Sequence, residues 1–237
     1  MNKKHYLKSL VITFALILMG WNAQAQYPEY SLFLNGVLPT GDLGTKVDVS
    51  SIPLNRSNIC KGANAGLGVT FRAGMRLDLG FGDMTPYVEG GFLWNASTSD
   101  LRDGYEASTS VDGVRGSAPE YLNIPILIGA KYRYELTDVF KPFAEFGLGC
   151  NLLFISGSGY KDNEWYSFQP TGAFAWSIGA GSYFTDMVSL TIYYVGLGDH
   201  NMEFTSRSYV QDDGNALEKR HIGEFGIRLG FHLTPIR

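Results

Sequence analysis

The chain has 237 residues, a length that suits a single domain, and 19 Lys+Arg against 23 Asp+Glu give it a net charge of −4. That acidic balance excludes a basic nucleic-acid-binding surface. Its 29 Gly, 14 Tyr and 15 Phe are many for this length, since soluble proteins carry Gly at about 7%.

Residues 1–25 read as a secretory signal. Lys3, Lys4 and Lys8 form a basic head, Leu10 to Met19 an apolar centre, and Ala23-Gln24-Ala25 a small-x-small cleavage site. The apolar run is too short for a membrane-spanning helix, which needs about 20 residues. No Cys stands at the cleavage point, so no lipoprotein anchor is expected. Cleavage leaves 26–237 as the mature domain, with 16 cationic against 23 anionic residues and a net charge of −7.

Beyond Ala25 no stretch approaches the length of a transmembrane helix, but hydropathy is blind to barrels, whose strands alternate lipid-facing and lumen-facing residues. Period two is the signal to seek. Tyr30 to Leu38 is the first strand, followed by a long link, Gly41 to Gly62. Ala63 to Leu79 shows the alternation best: Ala63, Ala65, Leu67, Val69, Phe71, Ala73, Met75, Leu77 and Leu79 form one face, and small, polar or charged residues including Arg72, Arg76 and Asp78 form the other. After a short link, Gly80 to Thr85, Pro86 to Asn95 is the third strand, and Ala96 to Glu120 a second long link.

Tyr121 to Glu135 repeats the arrangement. Leu122, Ile124, Ile126, Ile128, Ala130, Tyr132 and Tyr134 face one way, and Asn123, Gly129, Lys131, Arg133 and Glu135 the other, with Leu127 an apolar exception among them. Leu136 to Lys141 is short. Phe143 to Phe154, Phe174 to Phe184, Val188 to Leu197 and His221 to Leu233 supply four more strands, separated by the long Ile155 to Gly172, the short Thr185 to Met187 and the long Gly198 to Arg220. Short and long links therefore alternate without exception. Unstructured links of such length are uncommon in compact soluble domains, whereas outer-membrane barrels join their strands by short periplasmic turns and long extracellular loops. The expected fold is all-β, an eight-stranded antiparallel up-and-down transmembrane barrel with four long extracellular loops.

The stretch Tyr121-Leu122-Asn123-Ile124-Pro125-Ile126, continuing to Gly129-Ala130-Lys131-Tyr132 and then Pro142-Phe143-Ala144-Glu145-Phe146-Gly147-Leu148-Gly149, resembles the middle hairpin of Bacteroidota-type outer-membrane barrel proteins. More broadly, the mature chain resembles the OmpX and OmpA transmembrane-domain barrels. The resemblance implies location in the outer membrane of a Gram-negative bacterium, contact with its lipid and lipopolysaccharide, and delivery by barrel-insertion machinery. It implies no particular activity.

A soluble lipocalin-like barrel is the competing architecture. It would crowd the large apolar groups into eight strands, where the interior is only wide enough for side chains to fill. With glycines and charges inside instead, five cations (Arg72, Arg76, Lys131, Arg133, Arg228) meet five anions (Asp78, Glu89, Glu135, Glu145, Glu224). Buried charges are tolerated when paired, so an interior salt-bridge network that closes the lumen is expected, with a narrow pore for small solutes as the alternative. Enzymatic activity is not expected: His200, in Asp199-His200-Asn201, lacks the nearby Ser of an outer-face hydrolase, and His232 reads as an interior structural histidine, leaving His221 as the third histidine of the mature chain; a lipid-modifying enzyme is the remaining alternative. No cofactor or metal site is expected, Asp212-Asp213 with Glu218 reading as a solvated loop.

Trp94, Tyr132, Tyr134, Phe184 and Tyr194 lie near strand ends as an interfacial girdle would. Tyr160, Trp165, Tyr166 and Phe168, set among polar residues of the third long link, are candidates for contact with an extracellular partner. Cys150 falls on the lipid face and Cys60 in a loop, an arrangement that disfavours a disulfide. A monomer is expected.

Overall fold

Alternating side chains give a strand two unlike faces, and closing such strands on one another removes every open edge. In the computed structural model, which describes residues 27–47, 61–103, 118–137, 140–156, 158–160, 164–202, 204–206 and 218–234, this is what the chain does. The strands are β1 (Tyr27–Gly41), β2 (Ala63–Asp78), β3 (Asp83–Ser97), β4 (Tyr121–Arg133), β5 (Lys141–Ile155), β6 (Ser158–Tyr160), β7 (Glu164–Phe168), β8 (Thr171–Thr185), β9 (Val188–Met202), β10 (Phe204–Ser206) and β11 (Glu218–His232). Eight of them form a closed barrel in the order β1-β11-β9-β8-β5-β4-β3-β2, each antiparallel to its neighbours. The expected all-β, up-and-down barrel of eight strands is the observed fold.

The outward face is apolar around the whole wall. Leu67 is 69% exposed and Phe174 63%, and Ile128, Phe146, Ile178, Ile192 and Ile227 are exposed beside them. An apolar surface that encircles the molecule has no place in water, where patches above a few hundred Å² mark interaction sites. Strands of 13 to 16 residues exceed the 9–11 or so that a tilted strand needs to cross a bilayer. The barrel is a transmembrane one.

Several boundaries differ from those that periodicity predicts. β1 begins at Tyr27 rather than Tyr30, β4 stops at Arg133, and β9 runs on to Met202 rather than stopping at Leu197. At the end of β9 the alternation fades because Val195, Leu197 and Met202 put apolar side chains on the inward face. Two of the long links carry strands of their own: β6 and β7 form a hairpin, and β10 adds to it in the order β10-β7-β6, with Phe204 opposite Phe168 and Ser158 opposite Tyr166. Ala63, expected outside, is buried. The β2–β3 register slips between Ala63 and Gly66, and a slip of one residue turns a side chain to the opposite face. A second slip lies between Ile222 and Gly223, opposite Gly198, whose φ of 95° is one that glycine adopts without strain. Cys150 is exposed on the outer face as a free thiol; Cys60 and residues 1–25, expected as a signal segment, lie outside the described residues.

Candidate functional site: the barrel lumen

The short turns lie at one end of the barrel and the long links at the other, and the lumen between them is built in two storeys. In the storey nearer the turns, Arg72 (β2) donates from Nε and Nη2 to Glu89 Oε2 (β3) at 2.8 and 2.5 Å, and from Nη1 to Glu145 Oε2 (β5) at 2.7 Å. Arg228 (β11) reaches the same two carboxylates, Glu89 Oε1 at 2.8 Å and Glu145 Oε1. Four strands thus contribute to a closed ring of two cations and two anions. Aromatic rings sandwich it: the Arg72 guanidinium lies 3.8 Å from the Tyr87 ring centre and 4.8 Å from that of Phe33, and Arg228 lies 4.8 Å from Phe33 and 4.7 Å from Tyr193. Rings and guanidiniums alternate in the run Tyr87, Arg72, Phe33, Arg228, Tyr193, a favourable arrangement when water is excluded.

Below this ring, Lys131 pairs with Glu29 and donates to the Tyr183 hydroxyl at 2.5 Å. His232 is held by Ser31 Oγ at Nδ1 and Ser189 Oγ at Nε2, both at 2.8 Å. Arg133 pairs with Asp83, and with Glu135 at 3.4 Å. Arg76 is buried with its guanidinium 5.2 Å from the Tyr27 ring centre and, among the described residues, has no ion-pair partner.

Of the ten charges expected inside, Arg72, Arg76, Glu89, Lys131, Arg133, Glu145, Glu224 and Arg228 are buried. Asp78 and Glu135 are not: both are exposed at the turn end, where their strands run out into water. Glu224 is buried but has no ion-pair partner among the described residues, so the expected five-against-five pairing does not describe the lumen. Glu29 and Asp83 take the vacated partnerships. The first lies in the part of β1 that precedes the predicted strand, and the second in a residue range read as a turn. Phe33, Tyr87 and Tyr193 share the inward parity of the charges, a signal open to sequence reading.

The storey nearer the long links is apolar. Leu43, Leu93, Leu153, Leu197, Met202 and Ile222 pack there with the Tyr121 ring. Leu43 comes from the turn after β1, and Leu101, equally buried, from a short helical turn at 99–103. Beside these apolar groups runs a row of polar ones, Asn123 (β4), Asn151 (β5) and His200 (β9), with Thr171 at its end. Glu224 meets this row at Asn123, 3.4 Å away.

Tyr160, Trp165, Tyr166 and Phe168 belong to β6 and β7 rather than to an irregular loop; their side chains lie outside the described residues, as do Asp212 and Asp213. On the outer face at the loop end, His221 Nδ1 lies 2.9 Å from Asp199 Oδ1, and Lys219 Nζ 2.7 Å from Asp199 Oδ2, all three exposed. Among the described residues no three His, Cys, Asp or Glu side chains converge as metal ligands.

No protein-family model matches the chain, and no curated protein matches it in sequence. Solved structures do. The attachment invasion locus protein Ail of Yersinia pestis aligns with 11% identity over 89% of this chain and 100% of its own, with a TM-score of 0.44. Neisserial surface protein A aligns with 10% identity over 88% and 99%, at a TM-score of 0.41. The outer membrane protein OprG of Pseudomonas aeruginosa aligns with 11% identity over 88% and 96%, at 0.38.

Proposed function

We propose that this protein is exported by its N-terminal signal, resides in the outer membrane of a Gram-negative bacterium, and acts there as a closed barrel in a structural or surface-interaction role. The observation that carries the reading is the ring of Arg72, Glu89, Glu145 and Arg228 with the aromatic rings between them, which occupies the lumen in the storey nearer the turns. A pore requires a continuous wet path, and this cross-section is filled by paired charges in contact with rings. With transport set aside, the parts free to act are the long-loop end and the outer wall. The short turns then face the periplasm and the β6–β7–β10 sheet stands on the cell surface as the place for an extracellular partner, with lipid and lipopolysaccharide against the wall.

Planar-bilayer recording of the refolded mature chain tests this. The expected result is no unitary conductance. Steady steps in the wild type that are altered by Arg72→Ala would establish the pore instead. Lipid A mass spectra with and without expression test the enzymatic alternative, and a lost or gained acyl chain would overturn the structural reading.

A further inference from the structure

The apolar outer surface does not stop where the strands do. The link from β2 to β3 turns at Gly80-Phe81-Gly82, whose glycines stand at φ of 79° and 149°, values that other residues rarely adopt. A Cβ on Gly82 would lie 2.6 Å from the Arg133 carbonyl oxygen, so the tip is pressed against β4. There Tyr132 donates to the Phe81 carbonyl at 3.2 Å, and the two rings lie 6.4 Å apart between centres. Phe81 is nonetheless 67% exposed. Phe140 closes the second short link and Met187 the third; both are exposed, as are Leu136 and Phe184 beside them. Leu233 after β11 and Tyr30 in β1 complete an apolar collar around the turn end. Turns ordinarily carry Gly, Pro, Asn, Asp or Ser, and large apolar groups at all three tips call for a surface to cover them.

The turns are also built to leave water. The Gly80 amide donates to Asp78 Oδ1 at 2.7 Å, the Phe140 amide to Thr137 Oγ1 at 2.9 Å, and the Met187 and Val188 amides to Thr185 Oγ1 at 3.2 and 3.0 Å. Leu79 donates to the Gly82 carbonyl and Thr137 to that of Phe140. Donors satisfied within the turn lower the main cost of entering a lipid surface. The opposite end of the wall is polar. The outward run of β11 from Phe225 to Leu233 alone matches the 9–11 or so residues that cross a bilayer. Before it, Lys219 and His221 are exposed opposite Asn201 and Asp199 of β9, which are exposed too. The surplus length of these strands therefore lies at the loop end.

We propose that the barrel is seated off-centre, with its three turns embedded in the phospholipid headgroup layer on their side of the membrane and the loop-end wall standing clear of the other side. A soluble partner or a second barrel would cover one sector, whereas the collar encircles the turn end and is continuous with the lipid-facing wall. Tyr30, Tyr132 and Tyr134, exposed within it, suit the level where lipid meets water. On the β9–β11 flank the hydrocarbon ends near Phe225 and Tyr194, which face each other, and residues 198–202 and 218–222 rise beyond it as a polar ribbon. Soluble partners are left the loop end alone.

Quenching by depth tests this. In the mature chain carrying Cys60→Ser and Cys150→Ser, the single substitutions Phe81→Cys, Phe140→Cys, Met187→Cys and Lys219→Cys each receive an environment-sensitive NBD label. The proteins are refolded in phosphatidylethanolamine and phosphatidylglycerol vesicles with iodide on both faces. The three turn labels should emit blue-shifted light and be quenched by lipids brominated near the headgroup but not by iodide, and the label at position 219 should behave in the reverse way. Iodide quenching at the turns equal to that at position 219 would put the collar in water, as a docking face for a soluble protein, and overturn the proposal. Blue-shifted emission that brominated lipid fails to quench, or that fades as the protein is diluted in lipid, would place a second copy there and overturn it too. Each turn is scored separately, so a variant that fails to refold leaves the others to decide.

Discussion

The two storeys of the lumen fill the same space with opposite chemistry. Near the turns, the Arg72, Glu89, Glu145 and Arg228 ring depends on each charge having its partners; near the long links, Leu43, Leu153, Leu197 and Ile222 depend only on contact. An apolar filling loses its strength by degrees as methylenes are removed, whereas a charged ring fails at the first deletion, because the survivor is left unpaired. The lumen is therefore brittle at one end and tolerant at the other.

Three experiments sharpen the contrast. The largest effect is expected from Glu145→Ala, which strips both Arg72 and Arg228 of a carboxylate; removing one member of a buried pair costs about 3–5 kcal/mol, measured by urea unfolding in detergent. Adding Arg228→Met to it should cost less than the sum of the two changes, with a coupling of roughly 0.5–3 kcal/mol, because together they restore neutrality. Strict additivity in that cycle would break the picture of a single ring. Next come Leu197→Ala and Ile222→Ala, each of which empties a fully buried site in the apolar storey and should cost about 2–4 kcal/mol, scored in the same assay. The smallest effect belongs to Lys219→Ala, which removes an exposed partner of Asp199 and should change stability by less than about 0.5 kcal/mol.

One probe reads the outer wall rather than the filling. In a Cys60→Ser background, Cys150, exposed on the apolar face, should react with a membrane-soluble maleimide and resist a charged one in liposomes. Equal labelling by both reagents would mean that this face is wet.

The barrel was legible in the sequence because its middle obeys one rule: from Leu67 to Met75, and from Leu122 to Tyr132 with Leu127 the exception, outward apolar residues alternate with inward small or polar ones. The pairing inside was only partly legible. Arg72, Glu89, Glu145 and Arg228 announce themselves as charges in apolar strands, but their aromatic spacers Phe33, Tyr87 and Tyr193 look, residue by residue, like any membrane-facing ring. The apolar storey was missed for a related reason. Leu93, Leu153 and Leu197 put apolar groups on the polar parity, which reads as loss of pattern rather than as a second kind of core. Glu224 shows the limit from the other side, since its parity is right and only the lack of an ion-pair partner among the described residues sets it apart.

The closing seam has a consequence for assembly. β1 pairs with β11, Ser31 standing opposite His232 and bonded to it, and the Leu233 amide donates to the Tyr30 carbonyl. These contacts join residues about two hundred positions apart, and loop closure over such separations is slow to be rewarded. Until residues 218–233 arrive, β1 and β9 are bare edges with unpaired amides, open to pairing with any other strand. The strand that pairs last, β11, is therefore the lock that removes both edges at once.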